Sequence, residues 1–231
     1  MSRFFVCLAL YPTETNNLMN EPRIILASSS PRRRLLLQQI GITFSVIPAD
    51  IGEEVAPGAE PAGTVQTLSL QKALMISKQT DIAETPGEIL IIGADTIVVR
   101  DGTILGKPTD QKQAADMLRS LSGRTHQVYT GVALVFRDGD FGFQHHTFHE
   151  RTDVTFGKLS ESEIAAYIDG GSPMDKAGAY GIQDDLGALF VERIEGDYYN
   201  VVGFPLFRFY REVNKLIPGI VTPFEPASGI P

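Results

Sequence analysis

Three consecutive arginines, Arg32, Arg33 and Arg34, follow Ser30-Pro31 at what reads as the start of a helix. Cations belong at helix C-termini, and each arginine in a first turn opposes the macrodipole by roughly 0.3–1 kcal/mol. Something should repay that cost. Free backbone N–H groups, the hydroxyls of Ser28, Ser29 and Ser30 and the arginine forks together make an anion site suited to phosphate. The alternative is an ordinary N-cap followed by three solvated arginines, and this segment alone leaves both open. The serines lack a Gly-x-Ser-x-Gly elbow and any motif-level link to a histidine, so hydrogen bonding to phosphate suits them better than nucleophilic attack. A P-loop is excluded, because no Gly-x-x-x-x-Gly-Lys-Ser/Thr run occurs.

A second candidate is Asp95 in Gly93-Ala-Asp95-Thr96, set inside the apolar run from Ile89 to Val99. A carboxylate there loses hydration at a cost of several kcal/mol unless it is paired, hydrogen-bonded or bound to metal. The competing reading is a solvated strand edge or a purely structural lysine pair. Lys107 returns past an Asp101-Gly102 turn as a possible partner or phosphate ligand. If the hairpin turns there, paired residue numbers sum to 203 and Lys107 faces Thr96, so strict alternation puts it on the face of Thr96 and not of Asp95.

Weaker signals surround these two. Asp50, Glu53 and Glu54 form an acidic loop that could bring a second carboxylate to Mg²⁺, which takes one or two carboxylates plus phosphate oxygens. Lys72 reads equally well as a surface helix lysine. The glycine-punctuated stretch from Asp175 to Gln183 is either an ordered functional loop or a plain connection. His145, His146 and His149 lack the spacing of a zinc site and have no cysteine nearby.

These residues need elements to hold them. Ile24 to Ala27 reads as a strand, with Ser30-Pro31 capping a helix that runs to about Ile40 before Gly41. Thr43 to Ile47 reads as a strand, Thr64 to Gln79 as a helix, and Glu88 to Arg100 as the most apolar strand. Pro108-Thr109 is expected to open a helix ended by Gly123. Gln127 to Phe136 and Phe143 to Phe156 read as strands around an Asp138-Gly139 turn, and Ser160 with Glu163 forms a capping box for a helix to Ile168. Leu189 to Ile194 should be a strand and Pro205 to Leu216 a closing helix. Alternating strands and helices with inserted hairpins predict an α/β fold: a mixed twisted sheet with flanking helices and a central cleft.

Composition sets the outer bounds. The 231 residues are 43% hydrophobic and 21% charged, a globular balance. A net charge of -8 argues against nucleic-acid binding, so anionic ligands must meet a local basic site. One cysteine, Cys7, excludes an internal disulfide and fits a reducing cytosol. Phe4 to Leu10 is a poor signal peptide, and no run approaches the ~20 apolar residues of a membrane helix. Residues 1–22 are expected to be a dispensable extension and 218–231 a tail, leaving 23–217 as one domain. The sequence carries no signal that separates a monomer from a homodimer.

Taken together, Leu26-Ala-Ser-Ser-Ser-Pro-Arg-Arg33, Gly93-Ala-Asp-Thr96, Gly106-Lys-Pro108, Leu121-Ser-Gly123, Asp175-Lys-Ala-Gly-Ala-Tyr-Gly-Ile-Gln183 and Asn200-Val-Val-Gly-Phe-Pro205 resemble the Maf family, in order, over about residues 23 to 216. The resemblance implies a Maf/ITPase-like fold and a cytoplasmic, metal-dependent pyrophosphatase, using Mg or Mn, that cuts nucleoside triphosphates to monophosphate and pyrophosphate. Arg32, Thr96 and Gln183 resemble the branch acting on dTTP and UTP. Gln183 offers the carbonyl and amide that complement the O4 and N3–H edge of uracil or thymine. Carried over residue by residue, Asp95 is proton acceptor and metal ligand, Glu53 the second metal ligand, and Ser28, Arg33, Lys72 and Lys107 phosphate contacts. Gly52 departs from the family, where an acidic residue often precedes the glutamate. The family's association with septum formation also raises a non-catalytic nucleotide sensor as a competing role.

Overall fold

The computed structural model describes residues 22–52, 58–137, 142–183 and 186–220. The expected metal ligand Glu53 and the Asp138-Gly139 turn lie outside these residues, as do nearly all of the expected extension and tail.

β1, Arg23–Leu26, leads through the serines into α1, Pro31–Gln39, where the Ser30 hydroxyl caps the Arg33 N–H. Gly41, at φ +76°, ends the helix in the left-handed conformation expected of it. β2 is only Ser45–Val46, in parallel register with Ile25 and Leu26 of β1. α2, Pro61–Ser77, begins before Thr64 because the Glu60 carboxylate accepts from the N–H groups of Ala62 and Gly63. A short α3, Thr80–Ala83, precedes β3, Ile89–Arg100. The Asp101-Gly102 turn then returns β4, Thr103–Leu105, in the expected register, with Val98 opposite Leu105 and Arg100 opposite Thr103.

α4, Gln111–Leu121, is capped by Asp110, so Pro108-Thr109 stands ahead of the helix and does not open it. β5, Thr125–Arg137, and β6, Gln144–Phe156, form a long antiparallel pair, and α5, Glu161–Asp169, carries the Ser160/Glu163 capping box. Short 3-10 turns cover Ser172–Asp175, Ala177–Ala179 and Gly187–Phe190. The last of these delays β7 to Val191–Glu195. α6, Tyr198–Val202, and α7, Leu206–Leu216, close the described chain.

The strands form one mixed sheet of order β2-β1-β3-β5-β6-β7, with β4 also on β3. The β1 pairings are parallel and the rest antiparallel. Odd-numbered residues of β3 face α2, where Ile89 and Ile91 pack with Ala73, Ile76, Ala133 and Val135. Even-numbered ones face the larger core, in which Leu90, Ile92 and Val98 meet side chains of α1, α4, α5 and α7.

Two features of this sheet create the site. β1 pairs with β3 only as far as Ile92, and β4 pairs with the same edge only from Val98. Between them, no described strand covers that edge from Gly93 to Ile97. The second feature is how close α2 lies. A Cβ on Gly93 would sit 2.1 Å from the Ser69 carbonyl oxygen, and one on Gly131 would sit 2.3 Å from Val65 backbone atoms. Only glycine lets the helix backbone approach this far.

Candidate active site

A cavity of about 440 Å³ opens at the uncovered edge of β3, within the usual range for small-molecule sites. Its walls are the serine–arginine segment after β1, Asp95 to Val98 of β3, the segment after β4 including Lys107, and the loop from Asp175 to Gln183. The interruption exposes β3 from the side, so the cavity reaches residues on both of its faces.

On the α2 face, the close approach over Gly93 and Gly131 brings Lys72 to Asp95, with Nζ 2.6 Å from Oδ1 and each residue only 6% exposed. The buried carboxylate thus has a charged partner, and it is Lys72 of α2 in place of the hairpin lysine Lys107. Lys107 follows the end of β4 and lines the cavity. Lys72 is buried, against the surface-lysine alternative.

On the other face, Arg33 ties three segments together. Nε donates to the Gly203 carbonyl at 3.0 Å, Nη1 to Ser28 Oγ at 3.2 Å and Nη2 to Thr96 Oγ1 at 3.0 Å. Ser28 Oγ also accepts from the Ser30 N–H at 3.2 Å. Thr96 Oγ1 lies 2.9 Å from Thr130 Oγ1, which donates to the Asn200 carbonyl at 3.0 Å. The three arginines therefore differ: Arg33 is fixed within the fold, Arg32 pairs with Asp175 at 3.2 Å, and Arg34 is exposed.

Asp175 bridges Arg32 and Lys176, whose Nζ is 2.6 Å from Oδ1. Partial burial pushes the Asp175 carboxyl up, but the Lys176 hydrogen bond and the charges of Lys176 and Arg32 outweigh it and hold its pKa below the ordinary value. Gln183 is exposed at the cavity wall, and Asp50 is exposed near Ala49, which also lines it. Ser28, Arg32, Arg33, Lys72, Asp95, Thr96, Lys107 and Gln183 thus converge on one cavity.

Four residues without an assigned role also matter here. Lys176 is buried at the cavity, Thr130 and Asn200 anchor Thr96, and His126 lies behind the Asp175–Gln183 loop. Lys176 and Asn200 sit inside recognisable motifs. For Thr130 and His126 the available signal was a polar residue on the buried face of an alternating strand.

His146 turns away from His145 and His149 along β6, and its Nε2 lies 3.2 Å from Glu212 Oε2. Among the described residues no three His, Cys, Asp or Glu side chains cluster as a metal cage, and no helix is long and apolar enough to cross a membrane.

A family model described as Maf-like protein matches residues 23–216. A dTTP/UTP pyrophosphatase of Agathobacter rectalis is 51% identical over 201 residues, covering 84% of this chain and 97% of that relative. One of the same name from Bacillus thuringiensis subsp. konkukian is 46% identical over 193 residues, covering 84% and 95%. A solved nucleoside-triphosphatase / dITP/XTP pyrophosphatase of Mycobacterium abscessus overlaps 85% of this chain and 98% of its own at 14% identity and TM-score 0.38, a distant likeness.

Proposed function

We propose a function from one premise: this chain belongs to the Maf family. It is a nucleoside triphosphate pyrophosphatase, a hydrolase of the α–β phosphoanhydride. Its substrates, on our reading, are dTTP and UTP, as the names of its relatives state for those proteins. The observation that carries the site assignment is the buried Asp95, at the uncovered edge of β3 and facing a cavity lined by Ser28, Arg33, Lys72 and Lys107.

Asp95 accepts the proton of a water whose oxygen attacks the α-phosphorus. The P–O bond to the β-phosphate breaks and pyrophosphate leaves with that electron pair. Ser28, Arg33, Lys72 and Lys107 hold the phosphates so that attacking and leaving oxygens are in line. Arg33 is suited to this because its three bonds to Gly203, Ser28 and Thr96 fix the fork before substrate arrives. Gln183 presents its amide to the base, with Arg32 and Thr96 as neighbours in selectivity.

The donor set fits a divalent cation. Asp95 engages Lys72 through one oxygen and has a second, and Mg²⁺ takes one or two carboxylates together with substrate oxygens. Asp95 and Glu53 would hold Mg²⁺ or Mn²⁺, which when bound offsets negative charge on the triphosphate.

The test is pyrophosphate release from dTTP, UTP and CTP with Mg²⁺ or Mn²⁺. Pyrophosphate and the monophosphate are expected from dTTP and UTP, and little from CTP, whose 4-amino group and bare N3 reverse both partners of Gln183. Equal cleavage of CTP and UTP would place base recognition elsewhere. Triphosphate binding without pyrophosphate would support the sensor role, which the relatives' names do not favour.

A further inference from the structure

Behind the loop that carries Gln183 lies a buried polar arrangement that the proposed chemistry does not use. His126, on β5, is fully buried, and its Nε2 is 2.8 Å from the Oη of Tyr180, itself 5% exposed. The next residue, Gly181, donates its backbone N–H to Tyr167 Oη of α5 at 3.0 Å. A Cβ on Gly187 would come within 2.3 Å of the Gly181 carbonyl oxygen, so the loop also closes tightly on its own continuation. Gln183 follows two residues after Gly181 and lies at the cavity wall with Tyr180 and Gly181.

Packing alone does not call for these polar groups. Phe156 meets the rings of both His126 and Tyr180 edge to face, at 4.9 and 4.8 Å, and Phe190 meets Tyr167 edge to face at 5.0 Å. An all-apolar cluster of this shape would fill the same space without burying hydroxyls and an imidazole. The arrangement even carries a cost, since His126 Nδ1 is buried with no hydrogen-bond partner among the described residues. Burial holds the pKa of His126 down to about 4 against the opposing charge of Asp153, so at neutral pH the ring is uncharged. What the polar groups add is direction: each hydrogen bond fixes one atom of the loop within three residues of Gln183.

We propose that His126 and Tyr167 are positioning residues for nucleobase recognition, fixing through Tyr180 and Gly181 the loop that presents Gln183. This rests on Gln183 reading the base. β5 then serves both ends of the cavity from one face, with His126 holding the base-side loop and Thr130 holding Thr96 and the Arg33 side.

The experiment compares kcat/KM for UTP and CTP in the wild type, Tyr180→Phe, Tyr167→Phe and Gln183→Ala, together with thermal melts. Tyr180→Phe and Tyr167→Phe each keep a ring and remove one hydroxyl. Each is expected to lower the UTP:CTP ratio on the order of tenfold, mainly through a higher KM for UTP, because even a ~1 Å misplacement of a positioned group can cost up to about 10²-fold. Combined with Gln183→Ala, neither should lower the ratio further. Equal losses for UTP and CTP in both variants, as a merely structural role would give, overturn the inference. So does an unchanged ratio in both while Gln183→Ala abolishes discrimination. If Gln183→Ala itself leaves the ratio intact, the base-reading assignment falls and takes this inference with it. Should Tyr167→Phe fail to fold, Tyr180→Phe decides.

Discussion

Asp95 and Thr96 are adjacent in the chain and line the same cavity, yet β3 sends them to opposite faces of the sheet. On the α2 face, among the described residues, the site holds the ion pair of Lys72 with Asp95, under a helix pressed onto two glycines. On the other face it is a directed series of neutral and cationic hydrogen bonds. The Asn200 carbonyl can only accept, so Thr130 spends its proton there and must accept from Thr96, which in turn accepts from Arg33. Thr96 therefore offers the cavity a lone pair and no proton. The contrast teaches a division of labour. In the proposed roles, the carboxylate assigned to take a proton lies on the face of the lysine–aspartate pair, and the groups assigned to hold and select lie on the face whose hydrogen-bond polarity is already settled.

Asp95→Asn is the strongest way to break that contrast. The amide oxygen still accepts from Lys72, but a base is lost, so kcat should fall by ~10²–10⁴ while triphosphate binding persists. Steady-state pyrophosphate release measures this, and retention of more than a tenth of wild-type turnover would remove Asp95 from its role.

The next effect sharpens the other face, through His126. Its folded pKa, about 4, lies below the ordinary 6.5 because burial disfavours the imidazolium. The unfolded chain therefore binds a proton that the folded chain refuses, and stability must fall as pH falls from 6.5 toward 4. At 1.36 kcal/mol per unit this amounts to about 3 kcal/mol when complete. Urea unfolding at a series of pH values should show a shallower decline in His126→Phe than in the wild type, and parallel profiles would refute the assignment.

Thr130→Val has the smallest expected effect. It keeps the shape but removes the acceptor for Thr96 and the donor to Asn200, and should cost about 1–3 kcal/mol of stability and raise KM for UTP through a loosened Arg33. Thr130→Ser should restore both. A Thr130→Val protein with unchanged KM would detach Arg33 from this face's network.

The parts of this molecule legible in its sequence are those written in local patterns. The Asp101-Gly102 turn sets the β3–β4 register, the Ser30 cap starts α1, and a lone carboxylate in an apolar strand marks Asp95. Helix α6 and the 3-10 turns are too short for any periodicity to reveal. The choice of Lys72 over Lys107 as partner was hidden for a different reason. It depends on how closely α2 lies on the sheet, and that distance is set by Gly93 and Gly131, which are far apart in the chain and come two rungs from each other only when β3 and β5 pair. Hydrophobic pattern reports which face of a helix is buried, not its height above a strand.

The interrupted edge of β3 carries one more consequence. A strand edge with open rungs ordinarily invites another chain to add itself, and proteins blunt such edges with charge, twist or cover. Here the stretch from Gly93 to Ile97, which no described strand covers, is short and sunk between β1 and β4, in a hollow lined by Arg32, Lys107 and the buried Lys176. An extended polypeptide would need a longer, flatter run to gain a foothold, whereas a compact polyanion fits the recess. The recess to which the chemistry is assigned is thus also a poor template for a strand from another chain. Filling it with a continuous strand would be expected to yield a sturdier sheet and an inert protein.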